Sequence, residues 1–317
     1  MLLIAYLMND IPNSQNEILQ VERLAAQRYL YSRSKRFLGV QLVSSGPLAI
    51  VLSIVVLLHP QSKGIVAVWG CLFVVLDLLL FNRYQKSWRE KAAKIQELFD
   101  CEVLKLPWNE IKAGTRPIPE EVQENSLKYF RRTKSGMPLE NWYPPIVGAL
   151  PLPIARIVCQ RVNCWWDARQ RTRYAQWMGA LAISVCIVIF CISFAADITA
   201  SNFVIKVIAP ALPALTVGVR QWRDQSEAGL RLETLRQHAE GLWQQALVNP
   251  EDAAFTVRSR QLQDEIFHSR KANPPVFDRV YALLQPDSER QMNRSAEILV
   301  AEWQAQNKKE NVHGHDC

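Results

Sequence analysis

Apolar and polar positions fall in long blocks along this chain. Residues 37–58 run for 22 positions without a charge, and residues 174–196 for 23. Residues 64–81 carry Asp77 as their one charge, and residues 203–219 carry Lys206 as theirs. A helix rises about 1.5 Å per residue, and a bilayer core of roughly 30 Å takes about 20 apolar residues. Each block therefore predicts a transmembrane helix. Short links at 59–63 and 197–202 pair the blocks into two hairpins.

Cations at the block ends set the orientation. Arg23, Arg28, Arg33, Lys35 and Arg36 precede the first block, and Arg83, Lys86, Arg89, Lys91 and Lys94 follow the second. Arg156, Arg161, Arg169, Arg171 and Arg173 precede the third, and Arg220 and Arg223 follow the fourth, whereas the two links hold only Lys63. Both termini and the long middle segment are thus expected in the cytoplasm. The expected organisation is a cytoplasmic N-terminal helix (1–36), a first hairpin (37–81), a cytoplasmic insert (82–173), a second hairpin (174–219) and a helical cytoplasmic C-terminal region (220–317).

In the polar segments the apolar spacing is helical. Ile18, Val21, Leu24, Ala25 and Tyr29 share one face of a helix entering the first block. A helix is expected to continue the second block over 83–98, and another over 120–133 behind Pro119. Residues 99–108 alternate enough to suggest a short extended stretch ended by Pro107. Pro153 can open a helix running through Arg173 into the third block, because proline is tolerated in a first turn. Leu232, Leu235, Ala239, Leu242 and Ala246 keep a 3-4-3-4 spacing suited to a bundle contact. The fold class expected is mainly α, a polytopic membrane protein with helical cytoplasmic parts.

Composition agrees with that division. Of 317 residues, 37 are Lys or Arg and 30 Asp or Glu, a net charge of +7. The mean hydropathy of −0.06 averages apolar blocks against a strongly polar remainder. Seven cysteines show no zinc spacing, and those outside the blocks are expected in a reducing compartment. No signal-peptide pattern opens the chain. There is no phosphate-binding glycine loop, metalloprotease helix, nucleophile elbow or C-x-x-C. The terminal His313-Gly-His315-Asp-Cys317 reads better as a frayed tail than as a metal site. A non-enzymatic protein without cofactor or metal is expected, and the cation excess is explained by topology and anionic lipid rather than by DNA or RNA.

Candidate functional residues follow from where polarity is unexpected. Gln160, Asn163, Asp167 and Gln170 form one polar stripe on the helix leading into the third block, read either as a solvated face or as an interhelical or ligand-facing seam. Asp77, Lys206 and Gln41 are polar positions within blocks, where charge is costly; snorkelling and pairing, or a water-lined pathway, accommodates them. Arg131, Arg132 and Lys134 followed by Trp142 and Tyr143 place cations beside aromatics, as stacking on a nucleotide would use, and Arg161 joins this candidate ligand set.

Several motifs resemble one family. They are Gln96-Glu-Leu-Phe-Asp-Cys101 through Leu106-Pro-Trp-Asn109, then Asn141-Trp-Tyr-Pro144, then the stretch from Ala155 and Arg156 through Cys159-Gln-Arg161, Asn163-Cys-Trp-Trp-Asp167, Arg171 and Tyr174. With the order hairpin, insert, hairpin, tail, they resemble the SMODS-associating four-transmembrane effector family of bacteria over roughly residues 15–250. The resemblance implies a pore-forming effector of a cyclic-oligonucleotide-based antiphage system, disrupting the inner membrane once activated. It implies a functional link to a cyclic-oligonucleotide synthase and a cyclic oligonucleotide as candidate ligand. Four helices cannot enclose a wide channel, so a pore requires a homo-oligomer in the bilayer. A membrane scaffold for a cytoplasmic partner and a membrane enzyme are the alternatives.

Overall fold

The computed structural model describes residues 8–132, 139–195, 209–250, 252 and 254–313. Among these the chain is helical, with no strand. A single-turn α1 (Ile11–Ser14) is pinned by Asn9, whose Nδ2 donates to the carbonyls of Val147 and Leu150, both at 2.8 Å. Helix α2 (Ile18–Ser45) then rises through the polar part into the first apolar block. Leu24, Ala25 and Tyr29 are buried on its expected face, while Ile18 is exposed.

The first block is not one helix. Gly46 leaves helical backbone (φ −104°, ψ −96°), and α3 (Pro47–Leu58) begins anew. Pro47 lacks the N–H that an unbroken helix needs, and its ring clashes with the preceding turn. After a 3-10 turn at Pro60–Ser62, α4 (Lys63–Leu76) passes into a π-helical turn, Asp77–Phe81, and then into α5 (Asn82–Val103). Helix α5 takes 99–103 of the extended stretch expected over 99–108: Phe99, Asp100, Cys101 and Val103 are all buried, so no exposed polar face betrays a helical period there.

Short α6 (Glu110–Ala113) is capped by Asn109, which accepts from the amides of Ile111 and Lys112, and α7 (Pro119–Arg132) packs on α2. A 3-10 turn at Pro145–Ala149 leads into α8 (Leu152–Ala195), 44 residues without interruption. Helix α9 (Ala209–Val248) returns along α8; a Cβ on Gly229 would meet Thr172 Oγ1 at 3.0 Å, so glycine permits the close approach. Helices α10 (Ala254–Ala272) and α11 (Asp278–His313) complete the fold.

One core joins segments far apart in sequence. Phe99 of α5, Tyr143, Ile157 and Cys159 of α8, Leu242 and Trp243 of α9, Leu262 and Ile266 of α10, and Trp303 of α11 belong to the same apolar cluster. The 3-4-3-4 row of α9 serves this intrachain core, with Leu232, Ala239, Leu242 and Ala246 buried. Where α2 and α5 emerge, Phe37 meets Trp88 edge-on at 4.6 Å and the Arg33 guanidinium lies over Trp88 at 4.3 Å. Beyond this girdle the surface turns apolar. Ile65, Val68 and Leu79 on one side, and Leu181, Ile183, Phe190 and Phe194 on α8, are exposed. Among the described residues no helix is long and apolar enough to cross a membrane.

Candidate functional site

At the centre of the polar part, α5 directs two carboxylates inward from one face, since residues three apart on a helix are neighbours. Asp100 and Glu97 are 0% and 1% exposed. Asp100 accepts from Tyr143 Oη at 2.7 Å, from Gln263 Nε2 at 2.9 Å and from the Arg270 guanidinium. Glu97 accepts from Arg260 at 2.6 Å and from the same Gln263 amide at 2.8 Å. Arg260 also reaches Asp264 at 2.9 Å and the Pro107 carbonyl at 2.9 Å. Helix α8 joins through Gln160, which donates to Gln263 Oε1 at 3.1 Å and to the Ser259 carbonyl at 2.8 Å, and through Asn163, which donates to Tyr143 Oη at 3.1 Å. Helices α5 and α10 are thus locked by charge-assisted bonds, and α8 is tied to them by neutral ones.

The electrostatics are those of a buried, paired cluster. Burial and the neighbouring Asp100 hold the Glu97 carboxyl above its ordinary range, against Arg260. Burial opposes the Arg270 charge, yet Asp100 and Tyr143 outweigh it and hold the guanidinium above its usual value. Burial pushes the Cys101 and Cys159 thiols up, and Cys164 to about 12, which makes all three poor nucleophiles. The arrangement binds helices together; it offers no activated nucleophile beside a base. Among the described residues no cluster of metal-ligand side chains forms.

In the polar stripe on α8, Gln160 reaches α10 and Asn163 reaches Tyr143. Gln160 and Gln170 are buried, and each keeps one amide atom without a partner, Oε1 and Nε2 respectively. Asp167 pairs with Arg171 at 2.9 Å, and Arg171 donates to Gln225 Oε1 of α9 at 2.9 Å and to the Pro274 carbonyl at 2.7 Å. Near them Tyr31 is raised to about 12, chiefly by burial, among the charges of Arg270, Asp167, Arg171 and Arg89. A polar line therefore runs from Asp100 along α10 to the linker before α11.

The stacking set is not assembled in this arrangement. Arg131 and Arg132 stand exposed at the end of α7, with Arg132 over the Tyr29 ring at 5.0 Å. Tyr143 is fully buried and faces Asp100 instead of offering a surface, because its ring stacks on Phe99 within the core. Trp142 packs edge-on to Phe99 and its indole N–H has no partner. Arg161 is engaged by Glu240 at 2.6 Å and by Ser295 at 3.2 Å. Lys134 and Lys206 lie outside the described residues, as does the Asp77 side chain, whose backbone opens the π turn. The terminal histidine and cysteine beyond His313 lie outside as well.

Gln41 lines a cavity of about 370 Å³ between α2, the first turns of α5, α9 and Pro274. Neither this cavity nor the contribution of α10 is legible in the sequence. Its Arg260, Gln263 and Arg270 recur at spacings of three and seven, a helical pattern, but charged residues between apolar ones read as a solvated face until their carboxylate partners on α5 are known.

A family profile described as the SMODS-associating 4TM effector domain matches residues 9–299. A protein of Bacillus cereus (strain VD146), described as a probable CBASS effector molecule, is 24% identical over 278 residues, which cover 86% of this chain and 89% of that one. No solved structure matches.

Proposed function

Because the chain belongs to the SMODS-associating 4TM effector family, we propose that it is the effector of a cyclic-oligonucleotide antiphage system and acts by permeabilising the bacterial inner membrane. It sits in that membrane as two hairpins with both termini in the cytoplasm, works as a homo-oligomer, and needs no catalytic step. The relative described as a CBASS effector supports the signalling role. The four apolar blocks, the cations at their ends and the exposed apolar side chains of α4 and α8 support the membrane role, since contiguous exposed apolar surface marks lipid or partner contact.

The observation that carries the mechanism is the continuity of α8. Its first half holds the seam to α10 and its second half is the third apolar block, all in one 44-residue helix. Buried amide atoms left without partners at Gln160 and Gln170 mark the seam as a place where a second packing can compete. A ligand that binds the second packing more tightly shifts the population toward it, and α8 carries the change into the bilayer.

The test is dye release from liposomes holding the purified full-length protein, with and without cyclic di- and trinucleotides. Release triggered by one nucleotide is the expected result. Verified insertion with no release under any of them overturns direct gating and favours the scaffold reading.

A further inference from the structure

The cavity at Gln41 lies where the polar part meets the apolar blocks, and its charge is lopsided. Lys86 and Arg89 of α5 and Arg220 of α9 line it, and among the described residues none of the three forms an ion pair. Arg231, Asp224 and Glu227 line it as well: Glu227 lies 3.9 Å from Arg231 and 3.7 Å from Arg223, and Asp224 lies 3.5 Å from Arg223, so the lining keeps more cations than carboxylates. Hydrogen-bonding capacity is also unspent. Gln221 is 8% exposed, and among the described residues neither its Oε1 nor the buried Nε2 of Gln85 has a hydrogen-bond partner. A volume of about 370 Å³ is within the range of small-ligand sites.

Uncompensated cations beside an idle acceptor and an idle donor suit one chemistry, an anionic phosphodiester with hydroxyl or amide groups next to the phosphate. We propose that this cavity binds such a phosphodiester, held by Lys86, Arg89 and Arg220 and oriented by Gln85 and Gln221. Two sources share the chemistry: the headgroup of an anionic phospholipid and a cyclic nucleotide.

Occupancy would be felt by α10. Arg89 Nε donates to the Lys271 carbonyl at 2.7 Å, at the last turn of α10, and Arg171 holds the Pro274 carbonyl just beyond. A phosphate drawing the Arg89 guanidinium competes with the first of these bonds, at the end of the helix that carries Arg260 and Arg270. This role as a trigger rests on the effector reading; the binding does not.

The test uses full-length protein purified in a maltoside detergent, comparing wild type, Lys86→Gln with Arg220→Gln, and Gln221→Leu alone. Three readouts are taken: affinity for cyclic di-AMP and cyclic tri-AMP, phosphatidylglycerol retained per protein by mass spectrometry, and melting temperature. A tenfold or greater loss of nucleotide affinity in both variants at unchanged melting temperature supports the proposal with the nucleotide as source. Unaltered or absent nucleotide binding with lost phosphatidylglycerol supports it with the lipid as source. If neither changes, the proposal is overturned. Because nucleotide-triggered dye release from liposomes is measured separately on wild type, that overturns the site while leaving the effector reading intact. Should the double variant misfold, Gln221→Leu alone decides the same outcomes.

Discussion

Asp100 has no exposed surface, and its oxygens are shared among Tyr143, Gln263 and Arg270. Replacing it by Asn leaves Arg270 as a buried cation without its carboxylate, and removing one partner of a buried pair costs about 3–5 kcal/mol. Asp100→Asn with Arg270→Met should cost less than the sum of the single changes, because neither charge is then left alone; denaturant melts of the four proteins measure the coupling. Glu97 gives a second residue-scale prediction, in pH. Its folded-state value is raised above the ordinary 4.5, so its contribution to stability is fully present below 4.5 and is lost as pH rises through the folded value. The melting temperature of wild type should therefore fall relative to Glu97→Gln as pH rises from about 4.5, and parallel curves would refute this. Glu102 and Glu240, depressed by Arg23 and Arg161 against burial, destabilise both proteins alike on acidification and cancel in the comparison. None of these pairings was legible from one strand of sequence: Glu97 and Arg260 are separated by 163 positions.

Helices were legible where one face is apolar or where a start signal stands alone. The expected run from Pro153 into the third block is observed as α8, since no later proline interrupts it. Legibility failed where a helix is buried on several sides, as at the end of α5, and where a local break overrides an apolar run, as at Gly46 and Pro47. At this scale the seam makes its own prediction. Asp167 positions Arg171, which ties α8 to α9 and to the linker before α11. Asp167→Ala with Gln170→Ala should leave assembly intact by size-exclusion chromatography yet abolish the ligand dependence of dye release. Full retention of that dependence would remove the seam from the signal path.

For the whole molecule, the tail after residue 250 belongs to the centre of the fold, although nothing in its own sequence pointed there. It supplies Phe255, Leu262, Ile266, Met292 and Trp303 to the common core and both cations to the buried carboxylates. Deleting residues 251–317 exposes that core and strands Glu97 and Asp100 without counter-charge. The expected outcome is loss of any protease-resistant fragment on limited proteolysis; a stable, resistant truncation would show that the tail is dispensable. The family profile, which reaches residue 299, agrees with a fold that needs α10 and most of α11.

The uninterrupted length of α8 has a mechanical side. At 1.5 Å per residue its 44 residues make a rod of about 66 Å. If such a rod pivots about its middle by only about 5°, each tip moves by roughly 3 Å, close to the length of a hydrogen bond. Gln160, about 20 Å from that middle, then shifts by roughly 2 Å, enough to strain its bonds to α10, and the far tip moves by more in the opposite direction. Leverage, rather than a relay of many small rearrangements, would set how far the apolar half moves.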